Sequence, residues 1–151
     1  MMPKTLNTPY EKDVLLWSRE QARALRERDF SKLDIEHLAD EVEDVGKAEK
    51  RELANRMAVL LAHLLKWRFQ PERRSASWRG TINHQRERVA LLIKATPSLK
   101  TVLREADWRQ DMWLDAIARA SRETGIDEGA FPEANPWEPA ETLDPDFWPD
   151  A

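Results

Sequence analysis

An all-α fold follows from three features of the sequence. Charged residues make up 34% of the 151 positions, only four residues are glycine, and apolar side chains recur at spacings of three and four along most of the chain. That combination favours helices over a sheet-rich fold. The predicted architecture is a single-domain bundle of about five helices over residues 8–125. Residues 126–151 would form an irregular C-terminal strap, anchored on the core by aromatic side chains. A chain of this length can bury a core of its own.

Thr8-Pro9-Tyr10-Glu11 reads as a capping box with proline in the first position, opening a helix that runs to about Arg28. Tyr10, Val14, Trp17 and Leu25 would face the core, with Leu15 and Leu16 widening that face. Asp29-Phe30-Ser31 interrupts the pattern, and Asp34 is placed to cap a second helix whose stripe is Ile35, Leu38, Val42 and Val45. The rest of that helix is nearly all carboxylate: Glu36, Asp40, Glu41, Glu43 and Asp44. Gly46 reads as a break, because an interior glycine costs a helix about 1 kcal/mol. A third helix carries the most apolar run of the chain. Leu53, Met57, Leu60, Leu64 and Trp67 form its stripe, flanked by Leu61 and Leu65. An apolar arc covering about half the circumference predicts burial against more than one neighbour.

Pro71 stops this helix, and Ser75 or Ser77 can cap a fourth with Trp78, Ile82, Gln85, Val89 and Leu92 on one side. Thr96-Pro97 opens a fifth through Leu99, Leu103, Ala106, Trp113 and Ile117, closed by Gly125 in the usual C-terminal position. The strap holds five of the nine prolines, with one short helical turn expected near Pro136. Phe131, Trp137, Phe147 and Trp148 argue that it is ordered, since disordered tails are poor in aromatics.

The net charge of -4 conceals strong segregation. Residues 34–49 carry seven acids against Lys47, residues 66–94 carry eight bases against Glu72 and Glu87, and residues 127–151 carry eight acids and no base. The absence of cysteine excludes disulfides and thiolate metal sites. The N-terminal thirteen residues lack the apolar core of a secretion signal, and no apolar run approaches membrane-spanning length, so a cytoplasmic protein is expected.

Several motifs resemble those of the bacterial family known as domain of unknown function 29. They are Tyr10-Glu11 with Asp13, the run Glu41-Val42-Glu43-Asp44-Val45-Gly46, and Thr81-Ile82 with Gln85-Arg86. The longest is His63-Leu64-Leu65-Lys66-Trp67 continuing through Gln70-Pro71, Arg74-Ser75 and Ser77-Trp78. Ser98-Leu99-Lys100 and the terminal Asp146-Phe147-Trp148-Pro149 extend the likeness to nearly the whole chain. Val45 stands where methionine is the family's expected residue, a change that touches packing only. The resemblance implies an all-helical domain and no particular activity.

Three constellations could carry chemistry. The first is the corner where the third helix ends, with Gln70, Arg73, Arg74, Ser75, Ser77, Trp78 and Arg79, and with Gln85 able to reach the chain at the Gln70-Pro71 break. A helix N-terminus is already electropositive, so arginines clustered there call for an anion. That anion is expected to be internal, either the carboxylates of residues 41–44 or the acidic strap. The alternative is a phosphate or nucleic acid held by Arg73, Arg74, Arg79, Arg86 and Arg88, with Trp67 and Trp78 stacking on bases instead of packing in the core. The second constellation is His63, His84 and Glu41, which could hold a metal for hydrolysis only if their helices converge. The third is the carboxylate-rich second helix, whose ordinary role is a solvated face. No catalytic signature and no cofactor motif is present. The expected function is therefore non-enzymatic, through a protein partner or a second copy of the chain, with no membrane contact.

Overall fold

A computed structural model describes residues 8–150. Residues 1–7, on which part of the secretion-signal reading rests, and Ala151, the end of the predicted strap, lie outside the described residues. The fold is all-α, with no strand among the described residues. Among the described residues six α-helices follow in order: α1 Val14–Arg26, α2 Ile35–Phe69, α3 Ala76–Ala95, α4 Leu99–Val102, α5 Ala106–Thr124 and α6 Pro139–Thr142. None is long and apolar enough to cross a membrane. The chain divides at Lys47 into two compact units.

In the first unit α1 starts later than its capping-box motif predicts. Asp13 is the N-cap and accepts from the Leu16 amide, while Thr8 bonds through its amide and hydroxyl to the Glu20 carboxylate at 2.8 and 2.7 Å. A carboxylate cap one residue before the first turn satisfies an orphan amide as well as threonine does, and it complements the helix dipole. The helix buries Trp17, Gln21 and Ala24, which lie three and four residues apart. The Gln21 amide explains why a polar residue belongs on that face: it donates to the Lys32 carbonyl at 3.1 Å and accepts from the Asp34 amide at 2.7 Å. Asp34 caps α2 as the sequence predicts, accepting from the His37 amide.

Two expectations fail in this unit. Gly46 does not break the chain, because α2 runs through it without interruption. The cost of one glycine is outweighed by the hydrogen bonds of continuous helix on either side and by good helix formers after it. The apolar residues assigned to the core are also largely outside it. Val14, Leu15, Leu16 and Leu25 of α1 are exposed, as are Ile35, Val42 and Val45 of α2.

The second unit holds the main core. Leu53, Leu60, Leu64 and Leu65 of α2 are fully buried with Ile82, Val89 and Trp113, and Leu61 and Met57 are nearly so. The half-circumference apolar arc of α2 therefore packs as predicted, and Pro71 ends the helix in a 3-10 turn, Pro71–Arg73. Ser75 caps α3 by accepting from the Trp78 amide at 3.2 Å. The predicted fifth helix is two pieces: Glu105, in extended conformation, separates α4 from α5. Gly125 closes α5 in the left-handed region at φ 77°, where a side chain would be strained. Beyond it Phe131 and Trp137 are buried, and Trp113 donates from its indole N–H to the Pro132 carbonyl at 2.9 Å. The short turn forms at α6, with Pro139 in its first position and Glu141 reaching back to the Glu138 amide.

Candidate functional site

The basic corner lies in the second unit, at the junction of α2 and α3. Arg74, half-buried, donates from Nε to the Trp67 carbonyl at 2.7 Å and from a terminal nitrogen to the Pro149 carbonyl at 3.5 Å. Its guanidinium stacks on the Trp67 ring at 5.0 Å. Arg79 lies against two indoles, 5.4 Å from Trp67 and 5.3 Å from Trp148, and the two rings are 4.7 Å apart. Arg86 faces Trp148 at 5.2 Å. Three guanidiniums thus interleave with two tryptophans, each contact worth about 0.5–2 kcal/mol depending on desolvation.

Arg86 is the residue on which the corner turns. It is 4% exposed and directs all three nitrogens at the strap: Nε to the Thr142 carbonyl at 2.8 Å, and the terminal nitrogens to Pro145 at 3.4 Å and Phe147 at 2.6 Å. A planar fork can satisfy three diverging carbonyls where an ammonium could not. Burial pulls its pKa below the usual arginine range. Sequence reasoning placed Gln85 on the buried stripe and gave Arg86 to an external phosphate or nucleic acid. The structure buries Arg86 instead, which lies four residues after Ile82 and three before Val89, a spacing that could have identified it.

The strap lies on this corner, one of the two internal fillings expected, but it is held there by backbone carbonyls and not by ion-paired carboxylates. The arginine ion pairs of the described residues involve Arg56, Arg109 and Arg119, and none involves Arg73, Arg74, Arg79 or Arg86. The strap supplies backbone carbonyls and indole faces instead. Directional bonds to carbonyls fix the register of a segment more tightly than solvated carboxylates do.

The other sequence-selected residues scatter. Gln70 caps the 3-10 turn and Arg73 ends it, exposed, as is Ser77 in the first turn of α3. Gln85 accepts from Arg56 at 3.3 Å, across to α2 and not at the Gln70-Pro71 break. Trp78 takes the Lys66 ammonium over its ring at 5.1 Å, so it packs in the scaffold. Lys66 is buried and paired with Glu123 at 2.9 Å, which lowers the Glu123 pKa. His63 bonds the Val59 carbonyl at 2.9 Å, and burial lowers its pKa. His84 is exposed, and Glu41 belongs to the first unit, where it accepts from the Tyr10 hydroxyl. Among the described residues no group of three or more histidines and carboxylates could hold a metal.

The first unit contains a polar cluster that sequence reasoning missed. His37 sits between two carboxylates, Nδ1 2.7 Å from Asp34 and Nε2 3.1 Å from Glu11. Its ring stacks on Tyr10 at 4.3 Å, and Asp34 also accepts from the Trp17 indole at 3.0 Å. The bond to Asp34, helped by the nearby charges, raises the His37 pKa. Both ring nitrogens are occupied, so the ring ties Glu11 to the start of α2.

The same unit carries the most unusual surface. Among the described residues eight of the ten large apolar side chains left exposed lie within residues 14–45, the other two being Leu91 and Leu114 of the second unit. Val42 and Val45 are 71% and 73% exposed.

No curated protein matches the chain, and no solved structure does either. A family model described as a domain of unknown function, DUF29, matches residues 9–148, so the chain belongs to that family.

Proposed function

We propose that the protein is a non-enzymatic helical interaction module that docks through its N-terminal unit. The supporting observation is the concentration of exposed apolar side chains in residues 14–45. Soluble proteins seldom leave a contiguous apolar patch in water unless something covers it. The groups best suited to chemistry are already engaged, since His37, His63 and Lys66 each have a close internal partner. Photo-cross-linking in living cells tests this reading. A photoreactive residue in place of Val42 should give discrete cross-linked products, whereas one in place of Leu114, exposed in the second unit, should not. Absence of products from position 42 would overturn the reading.

A second reading is favoured by one observation in the basic corner. Among the described residues Arg79 has no carboxylate within ion-pair distance, and it lies where two hollows of about 460 and 640 Å³ meet, sharing Arg79 and Asn83. An anionic group, such as the phosphate of a nucleotide or nucleic acid, would find there an exposed guanidinium beside the Trp148 ring of the strap. Binding of a single-stranded oligonucleotide should then weaken steeply with salt and disappear in Arg79→Glu. Undetectable binding at low ionic strength eliminates it.

A further inference from the structure

The larger hollow beside Arg79 contains one residue that an anion site does not call for. Arg79, Asn83 and Glu87 follow one another at four-residue spacing on α3 and line this hollow of about 640 Å³ together. Much of the remaining wall is apolar, from Ala90 of α3 and from Leu143, Pro145 and Trp148 of the strap. Arg86 lines it too, with its fork engaged by the strap carbonyls. Asn83 and Glu87 are exposed, and among the described residues neither side chain makes a hydrogen bond or ion pair. A concave site of this size, largely apolar with a few convergent polar groups, is of the kind that holds a small ligand.

Glu87 sets the polarity of what lies there. Two helical turns separate it from Arg79, about 12 Å along the axis. At the Arg79 end the adjoining smaller hollow adds Arg74 and Ser75, which favour an anion. At the other end a carboxylate repels a second phosphate and can only accept hydrogen bonds, so the group facing it carries N–H donors. The apolar wall suits a flat neutral ring better than a hydrated ammonium, which is costly to strip of water. A nucleotide joins a phosphate to such a ring across that separation. Of the four common bases only guanine presents two adjacent N–H donors on one edge, which a carboxylate accepts as a parallel pair. The Asn83 amide, one turn before Glu87, can donate to the guanine O6 beside those donors. Resting on the reading of Arg79 as an anion site, we infer that the hollow between α3 and the strap is a guanine-nucleotide site, with the phosphate on Arg79 and the base edge on Glu87. A free mononucleotide and a guanosine within a single strand both offer that unit.

Fluorescence anisotropy of the full chain at low ionic strength tests the inference with two labelled strands. One is an all-thymidine oligonucleotide, and the other is the same strand with a single central deoxyguanosine. The guanine strand should bind about tenfold tighter, the effect of one bidentate base contact. Glu87→Gln keeps the size of the side chain and loses the paired acceptors, so the two strands should then bind equally. Arg79→Glu should abolish binding of both. Both side chains are exposed, and circular dichroism verifies that the helices remain. Displacement of the guanine strand by guanosine monophosphate but not by adenosine monophosphate supports the inference with the free nucleotide as ligand. Displacement by neither, with the guanine strand still preferred, supports it with the strand as ligand. Equal affinity of the wild type for the two strands overturns the guanine site and leaves the anion reading of Arg79 in place. A preference that survives in Glu87→Gln, or equal displacement by the two mononucleotides, overturns it as well. No binding of either strand removes the inference and the anion reading together.

Discussion

Arg86 and His37 each tie a segment of chain to a helix, and they respond differently to perturbation. Arg86 holds the strap through three carbonyls from a buried position. Arg86→Ala should cost about 3 kcal/mol or more in denaturant unfolding, since charge-assisted bonds are lost and carbonyls are left unpaired. Arg86→Lys should recover little of that, because one ammonium cannot reach three diverging acceptors. A loss below about 1 kcal/mol in Arg86→Ala would show that the aromatic anchors alone hold the strap. His37 is governed by pH. Its folded pKa is raised above the free imidazole value, chiefly by Asp34, with Glu11 on the other nitrogen and Tyr10 on the ring face. The stabilisation is therefore fully present below about pH 6.5 and is lost as pH rises through the folded value. Thermal unfolding of the wild type should weaken across that upper window, and His37→Gln should flatten the dependence. An unchanged profile in His37→Gln would contradict that tie. Neither role was legible in the sequence. Its spacing from Ile82 and Val89 marks Arg86 as buried, but what it bonds is unknown until the carbonyls opposite it are known. His37 acquires its partners from Glu11, twenty-six positions earlier, as well as from its own helix.

At the scale of elements, α2 is the decisive case. Its apolar C-terminal half was legible because the stripe from Leu53 to Trp67 repeats at helical spacing and is wide enough to need several neighbours. Its continuity was not, because Gly46 carries an ordinary helix-breaking signal that neighbouring hydrogen bonds override. Gly46→Ala should raise stability by about 0.5–1 kcal/mol, since the added methyl meets nothing within 4 Å and alanine favours the helix. A destabilised Gly46→Ala, read by thermal melting and helical ellipticity, would indicate that α2 bends there. The opposite error occurs between α4 and α5, where a single periodic run is divided at Glu105. Hydrophobic spacing stays in phase across that break, so periodicity cannot reveal it.

For the whole molecule, the all-α class, the aromatic-anchored strap and the blocks of opposite charge could be read from composition and spacing. What each block faces could not. Arg86 of α3 is covered by carbonyls and an indole from the strap, and Arg79 lies against the same indole. The acidic block of α2 lies beside an apolar stripe that its own chain leaves in water. Apolar periodicity marks a face as one to be covered and does not say which molecule covers it, which is why Ile35, Val42 and Val45 were assigned to the core. The absence of cysteine allows the docking face to be probed directly by single thiols. Val42→Cys and Leu114→Cys would be labelled inside cells with a membrane-permeant maleimide and compared. In the chain alone Val42 is 71% exposed and Leu114 54%, so an uncovered protein would label at position 42 at least as fast. An interaction module docked through its N-terminal unit predicts slow labelling at 42 and fast labelling at 114, with position 42 becoming fast once the cells are lysed and diluted. Labelling at 42 that is as fast as at 114 inside the cell would contradict the account.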